Sequence, residues 1–137
     1  MSEALTVRET AFHVAFDADQ RIFINRFTGY PTADHLVAAM RAVRSHPNYE
    51  RYVPALWDFR QASLSQVDNY EILRFKEVSA GITDTPRPAP IAFVTVTRLD
   101  HGIIRQIIGS NVWLEKVYEM FTDYDQAVTW LKAERES

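Results

Sequence analysis

The sequence predicts one α/β domain over residues 1–137, in which a single mixed β-sheet is flanked by helices. The chain has 137 residues, about the length of one domain. After an N-terminal hairpin, its segments read helix, strand, helix, strand, helix, strand, helix. Strands joined by helical crossovers pair in parallel, whereas hairpin strands pair antiparallel, so the sheet is expected to be mixed.

The composition is that of a folded protein without disulfides. Apolar residues make up 47% of the chain, charged residues 24%, and cysteine is absent, which excludes a disulfide scaffold, a thiolate metal site and thiol catalysis. The formal net charge of −3 argues against a dedicated nucleic-acid-binding protein, which needs a basic surface. No apolar run reaches the roughly 18–20 residues of a transmembrane segment and no leader pattern is visible, so we expect a cytoplasmic protein.

The first two strands are predicted to form the hairpin. Apolar side chains alternate with others over 12–16, which is the period of a strand with one buried face. Residues 17–20 are rich in turn formers, and the β-branched and aromatic run 21–27 ends at Gly29. A short piece at 5–8 either extends the first strand or pairs separately.

A helix and a buried strand come next. Thr32 is a predicted N-cap, and apolar side chains at 36, 37, 40 and 43 follow at helical spacing. This helix is expected to end near Ser45, before Pro47. The nearly continuous apolar run 52–59 is typical of a strand covered on both faces.

The following segments predict a βαβ unit. Ser65 to Asp68 fits a capping box, and a helix is expected over 67–78 with its end at Gly81. Prolines at 86, 88 and 90 break any helix, and 91–96 has the strongest β character in the chain. One helix between two strands gives a right-handed crossover in a parallel pair.

The last third of the chain predicts two further helices around a strand. Asp100 is the expected N-cap of the first, whose inward face carries isoleucines at 103, 104, 107 and 108. Residues 115–121 fit a final strand. The capping pattern at 122–125 opens a terminal helix through Leu131, and the tail from Glu134 is expected to fray.

Candidate site residues appear first where the strand 52–59 ends. Open sheets of this type bind ligands beside the carboxyl ends of their parallel strands. There Asp58 can accept a proton or a ligand hydroxyl, and Arg60 can bind a carboxylate or phosphate with its guanidinium fork. The alternative is that both are solvated or capping groups at a strand end, since no nucleophile accompanies them.

A second candidate group lies where the third predicted helix begins. Its members are His101, Gly102 and Arg105, and free backbone N–H groups there suit an anion. Together with the first group they would form one crevice. The alternatives are that the Asp100 cap repels an anion and that Gly102 serves close packing.

Ser65 is a candidate phosphorylation site, because a phosphate there would meet the positive end of the second helix. Capping alone also explains this serine. The four histidines show no metal-ligand spacing, and the four glycines form no nucleotide-binding or hydrolase motif. We therefore predict no metal, no cofactor and no catalytic residues, and the protein is more readily a binding domain than an enzyme.

Four segments taken together carry a family resemblance. They are Leu-Trp-Asp-Phe-Arg at 56–60, Ile-Ala-Phe-Val-Thr at 91–95, His-Gly-Ile-Ile-Arg at 101–105 and the run 121–131. In this order they resemble small bacterial STAS-like proteins related to anti-sigma-factor antagonists. The resemblance implies a mixed sheet flanked by helices and a module that binds partners or small ligands. It also implies a phosphorylatable serine where Ser65 stands, although the Asp-Ser-Ser-Gly motif of those antagonists is absent.

Two functional hypotheses follow from the sequence. The first is a non-enzymatic regulatory or partner-binding domain, with residues 60–66 and 100–105 as its working face and with homodimerisation through a sheet edge or an exposed helix. The second is a small-ligand-binding protein or weak enzyme that holds an anion in a crevice of Asp58, Arg60 and Arg105. A lipid ligand is a variant of the second, because the same superfamily includes the CRAL-TRIO lipid carriers.

Overall fold

One mixed sheet organises the computed structural model, which describes residues 9–49, 53–80, 89–109 and 118–136. The elements in chain order are β1 (Ala11–Asp17), β2 (Ile22–Gly29), α1 (Ala33–Arg44), β3 (Ala55–Ala62), α2 (Asn69–Ala80), β4 (Ile91–Val94), α3 (Arg98–Gly109), β5 (Tyr118–Phe121) and α4 (Tyr124–Glu136). The strand order is β1-β2-β3-β4-β5, with β1 and β2 antiparallel and every other pair parallel. The predicted hairpin, βαβ unit and mixed sheet are confirmed.

The two faces of the sheet pack separately. The larger core fills the space between the sheet and helices α1 to α3, and the smaller core lies under α4. Leu56 of β3 belongs to the smaller core, whereas the next residue, Trp57, belongs to the larger one. Because consecutive strand residues point to opposite faces, Phe59 returns to the larger core and Asp58 faces the α4 side.

Aromatic rings join β2 to β3 in the larger core. Phe27 and Phe59 stack with ring centroids 4.7 Å apart, and the Trp57 ring lies 5.6 Å from Phe27. Such pairs each contribute about 0.5–1.5 kcal/mol beyond their buried area. They hold the backbone of β3 in place next to its polar residues.

The caps of α1 are those predicted from the sequence, but the cap of α2 is not. Thr32 is the N-cap of α1 and Ser45 its C-cap. The predicted cap of α2 at Ser65 is wrong, because α2 begins at Asn69 and the Asp68 carboxylate accepts the Glu71 N–H at 2.9 Å. The sequence offers two oxygen-bearing side chains here, and the one immediately before the helix makes the bond.

Of the two remaining caps, that of α3 differs from the prediction and that of α4 agrees with it. Thr97 caps α3, since its Oγ1 accepts the Asp100 N–H at 3.1 Å, so the assignment of Asp100 as N-cap is wrong. In α4 the Asp123 carboxylate accepts the Gln126 N–H at 2.9 Å, which places the cap within the predicted pattern. Because Thr97 caps the helix, the Asp100 carboxylate is available to accept a hydrogen bond from another segment.

Strand bounds shift by two or three residues. β3 continues to Ala62 rather than ending at 59, and β4 ends at Val94 rather than 96. The predicted pieces at 5–8, 52, 81–88 and 115–117 lie outside the described residues. Within the described ranges, no helix combines the length and hydropathy needed to cross a membrane.

Candidate functional site

The carboxyl ends of four strands lie along one edge of the sheet, here termed the carboxyl edge. Strands β2 to β5 are parallel, so each helix that follows one of them starts at this edge. The Ser63 N–H donates to the Gly29 carbonyl at 2.8 Å and links the loop after β3 to the end of β2. The predicted site residues all lie in β3, in α3 or in the loops of this edge.

Asp58 is a buried carboxylate whose two oxygens both have partners. It lies between Arg26 of β2 and Val94 of β4 in the sheet, and it is 4% exposed. Its Oδ1 accepts the backbone N–H of Arg60 at 3.0 Å and the Nε–H at 2.9 Å. Its Oδ2 accepts Nη2–H of Arg60 at 2.8 Å and lies 3.5 Å from Nε of Arg26. Asp58 therefore orients two arginines.

The electrostatics of this contact keep Asp58 ionised. Burial acts to raise the pKa of Asp58, but hydrogen bonds from the Arg60 guanidinium and backbone N–H, with the charges of Arg60 and Arg26, hold that pKa below its ordinary value. The hydrogen bond to Asp58 in turn raises the pKa of Arg60. This carboxylate positions the two arginines, and its predicted role as an acceptor of a proton or a ligand hydroxyl stays a prediction.

Tyr124 completes the group on the α4 face. The guanidinium carbon of Arg60 lies 4.3 Å from the centroid of the Tyr124 ring, and that of Arg26 lies 5.9 Å from it. Such cation–π contacts are attractive, and Tyr124 is the first residue of α4. Arg26, Asp58, Arg60 and Tyr124 are termed the arginine cluster. No sequence pattern indicates Arg26 or Tyr124, because only strand pairing and helix packing bring them to Asp58.

A β-bulge lies beside the arginine cluster. Arg26 pairs with Asp58, but Thr28 pairs with Gln61, so β3 contains one residue more than β2 between these pairs. A bulge re-aims the side chains next to it. Here it follows Asp58 directly, where the backbone and the guanidinium of Arg60 both turn back to the same carboxylate.

The second predicted group lies on the other side of the sheet. Arg105 Nη2 is 3.1 Å from His101 Nε2, one turn apart on α3, and Arg105 is exposed. Helix α3 packs its isoleucines on the face of Trp57 and Phe59, opposite the face of Asp58. The structure therefore does not unite the two candidate groups in one crevice. Their predicted proximity rested on strand ends alone and ignored the alternation of side chains between faces.

Gly102 lies within α3, and the described residues leave room for a side chain there. Among the described residues, no atom lies within 4 Å of the position that a Cβ would occupy there. An alanine would fit, so the packing explanation of this glycine fails.

Asp100 connects the loop after β3 to α3. It is buried, and its Oδ1 accepts the Leu64 N–H at 2.8 Å. Ser65, the next residue of that loop, is exposed, and its own N–H donates to Ser63 Oγ at 3.3 Å. Sequence reasoning missed the role of Asp100 because its partner lies 36 positions away.

Exposed apolar side chains gather at the carboxyl edge. Among the described residues, the large apolar side chains that are exposed are Tyr30, Tyr70, Leu73, Val96 and Leu99, here termed the apolar edge. Tyr70 is 69% exposed and Leu73 is 55% exposed. All five lie in a loop after a parallel strand or in the first two turns of α2 or α3. The sequence predicted helices here but not which of their apolar residues stay uncovered.

Carboxylates surround the α2 part of the apolar edge. Asp34 and Asp68 are exposed, and Glu71 accepts the Ala33 N–H at 2.7 Å. Arg74 opposes them, since its Nη2 lies 2.8 Å from Asp34 Oδ1. These helix starts therefore carry more negative than positive charge. Among the described residues, no group of three or more histidine, aspartate or glutamate side chains is arranged to hold a metal ion.

Comparison with known proteins supports the fold and goes no further. No protein-family model matches the chain, and no curated protein is significantly similar to it. Among solved structures, it is similar to an uncharacterized protein of the DUF3478 family from Shewanella loihica that has a SpoIIAA-like fold. The TM-score is 0.60 at 12% identity, over 92% of this chain and 98% of that one. The chain thus has the SpoIIAA-like, or STAS-like, α/β fold that the sequence resemblance implied.

Proposed function

We propose that this protein is a non-catalytic domain that binds a protein partner on its apolar edge. One observation carries the proposal: the large apolar side chains exposed by the described residues all lie at the carboxyl edge. Single exposed apolar residues are ordinary on a protein surface, whereas their concentration in one region marks an interaction site. The STAS-like fold and the resemblance to anti-sigma-factor antagonists favour a regulatory role in the cytoplasm.

The charges beside the α2 part of the apolar edge indicate the chemistry of the partner. Asp34, Asp68 and Glu71 outnumber Arg74 around the exposed Tyr70. Complementary charge steers association and discriminates against wrong partners. We therefore propose that the partner presents an apolar segment flanked by lysine or arginine.

A photo-crosslinking amino acid at position 70 tests this proposal. With p-benzoylphenylalanine in place of Tyr70, we expect a covalent adduct with a second protein in the native cell. Adding Leu73→Ser is expected to reduce the adduct about fivefold or more, because loss of a buried leucine contact costs on the order of 1–2 kcal/mol. Mass spectrometry identifies the adduct, and the same probe at Lys132, exposed on α4, is the control.

The outcomes of that experiment are distinct. Specific capture at position 70 that weakens as salt is raised supports docking of a basic, apolar segment. Equal capture at position 132 would contradict a localised site. Adducts consisting of two copies of this chain would replace the heterologous partner with a homodimer through the apolar edge, and sedimentation velocity would then show the dimer directly.

Phosphorylation of Ser65 is proposed to tune the same interaction. Ser65 is exposed and lies three residues before Asp68, not at the first turn of α2, so a phosphate would add to the negative charge of the edge rather than cap the helix. Ser65→Asp is therefore expected to increase capture of a basic partner by the probe at position 70, most clearly at low salt. Ser65→Ala is the matched control, and equal capture by all three proteins would reject the switch.

A further inference from the structure

We propose that the arginine cluster binds a phosphate group on the α4 face of the sheet, with His13 as an additional donor. This face is opposite the one that carries α3, and the proposal does not rest on partner binding at the apolar edge. Its basis is an imbalance of charge, a set of hydrogen-bond donors and the surroundings of the two guanidinium groups.

The imbalance arises because two guanidinium groups share one carboxylate. Arg60 donates to both oxygens of Asp58, and Nε of Arg26 lies 3.5 Å from the oxygen that Arg60 Nη2 also contacts. The two positive charges are therefore held close together around a single negative charge. An anion between them would relieve their repulsion, and a guanidinium fork matches the oxygens of phosphate.

Donors remain for such an anion. Nε and Nη2 of Arg60 are bound to Asp58, and no described group accepts a hydrogen bond from Nη1 of Arg60 or from Nη1 and Nη2 of Arg26. The side chain of Arg26 is 55% exposed and that of Arg60 is 40% exposed, so solvent reaches both. His13 is exposed and pairs with Arg26 across the β1–β2 ladder, which places its imidazole on the same face.

The surroundings both favour and limit binding. Tyr124 fixes the plane of the Arg60 guanidinium and opens α4, so the positive end of the helix dipole lies beside the cluster. Asp123 caps that helix, and Asp125 is an exposed acid whose charge acts on Arg60. These carboxylates weaken the attraction for any anion, so selectivity for phosphate rests on the two guanidinium groups, which attract a dianion more strongly than a monoanion. We expect phosphate to bind with a dissociation constant of about 1 mM.

NMR titration of the whole chain tests the site. Inorganic phosphate at pH 7.5 and constant ionic strength is expected to shift the Nε–H signals of Arg26 and Arg60 saturably, whereas acetate gives a weaker shift and added chloride none. Arg26→Gln is expected to weaken phosphate binding about fivefold. The matched control is Arg41→Gln, which removes one exposed arginine from the last turn of α1 and leaves binding unchanged.

A second titrant distinguishes free phosphate from a phosphate monoester as the ligand of this site. Phenyl phosphate that binds more tightly than inorganic phosphate would indicate a phosphate monoester whose organic group contacts Tyr124, whereas equal binding would indicate free phosphate. Absence of a saturable shift in the native protein, or equal weakening by Arg41→Gln, would overturn the proposal. Arg26→Lys keeps the charge but not the fork, and full binding by this variant would reject recognition through the guanidinium geometry.

Discussion

Replacing Gly29 with alanine is expected to destabilise the fold by about 2–5 kcal/mol. The residue has φ +73°, a left-handed conformation that costs about 1–2 kcal/mol when a Cβ is present. A Cβ at this position would also lie 2.6 Å from Cα and Oγ1 of Thr10. Part of that contact is backbone, which cannot rotate away, so overpacking adds about 1–3 kcal/mol.

The effect of Gly29→Ala is expected to reach the carboxyl edge. The neighbouring Tyr30 N–H donates to Thr10 Oγ1 at 2.9 Å, and the Gly29 carbonyl accepts the Ser63 N–H at 2.8 Å. Movement of Thr10 away from an added methyl group disturbs the first bond, and a shift of the Gly29 backbone away from Thr10 disturbs the second. Urea unfolding measures the loss of stability, and amide exchange at Ser63 reports whether the link between β2 and the loop after β3 opens.

Gly102→Ala is the matched control and is expected to act in the opposite direction. Gly102 lies inside α3, and among the described residues nothing would contact an added Cβ. Alanine is favoured over glycine in a helix interior by about 0.5–1 kcal/mol, so the variant should be more stable than the native protein. Destabilisation by Gly102→Ala, or no loss with Gly29→Ala, would contradict the backbone assignments at these glycines.

The elements of the fold could be predicted because each rests on local information. Alternation in β1, helical spacing in α1 and the apolar run of β3 are visible along the chain, and the mixed sheet follows from their order. The capping residues of α2 and α3 could not be predicted because neighbouring side chains of each loop can all accept a hydrogen bond from the first turn of the helix. Ser65 was predicted as the cap of α2, but the observed bonds to the α2 backbone come from Asp68.

The site was predictable only in part, because its geometry depends on contacts between distant segments. Asp58 and Arg60 were placed in one candidate site, but their hydrogen bonds to each other were not predicted. Arg26 reaches them only through the β2–β3 register, and Tyr124 only through the packing of α4. Arg105 was grouped with them because both segments lie near strand ends, yet side-chain alternation in β3 separates the two sheet faces.

Asp58→Asn is expected to destabilise the protein by about 2 kcal/mol at pH 7. The asparagine keeps one oxygen acceptor, but its amide nitrogen cannot accept from Arg60 Nη2 or offset the charge of Arg26. Breaking a fully buried ion pair costs about 3–5 kcal/mol. We expect only about 2 kcal/mol here because both arginines are partly exposed to solvent, which screens the interaction. Urea unfolding at fixed ionic strength measures the difference, with Glu77→Gln on the exposed face of α2 as the control.

The same substitution is expected to matter less in acid. The pKa of Asp58 in the folded protein lies below the ordinary aspartate value of about 3.9 that the unfolded chain retains. The carboxylate therefore contributes stability that is fully present above pH 4 and is lost as the pH falls through the folded-state pKa. The native protein should lose stability over this range, while Asp58→Asn should lose less, so their difference narrows below pH 4. A difference that stays constant from pH 7 to pH 3 would show that Asp58 acts through its shape rather than its charge, and the arginine cluster would then lack the ionised centre that holds its two guanidinium groups together.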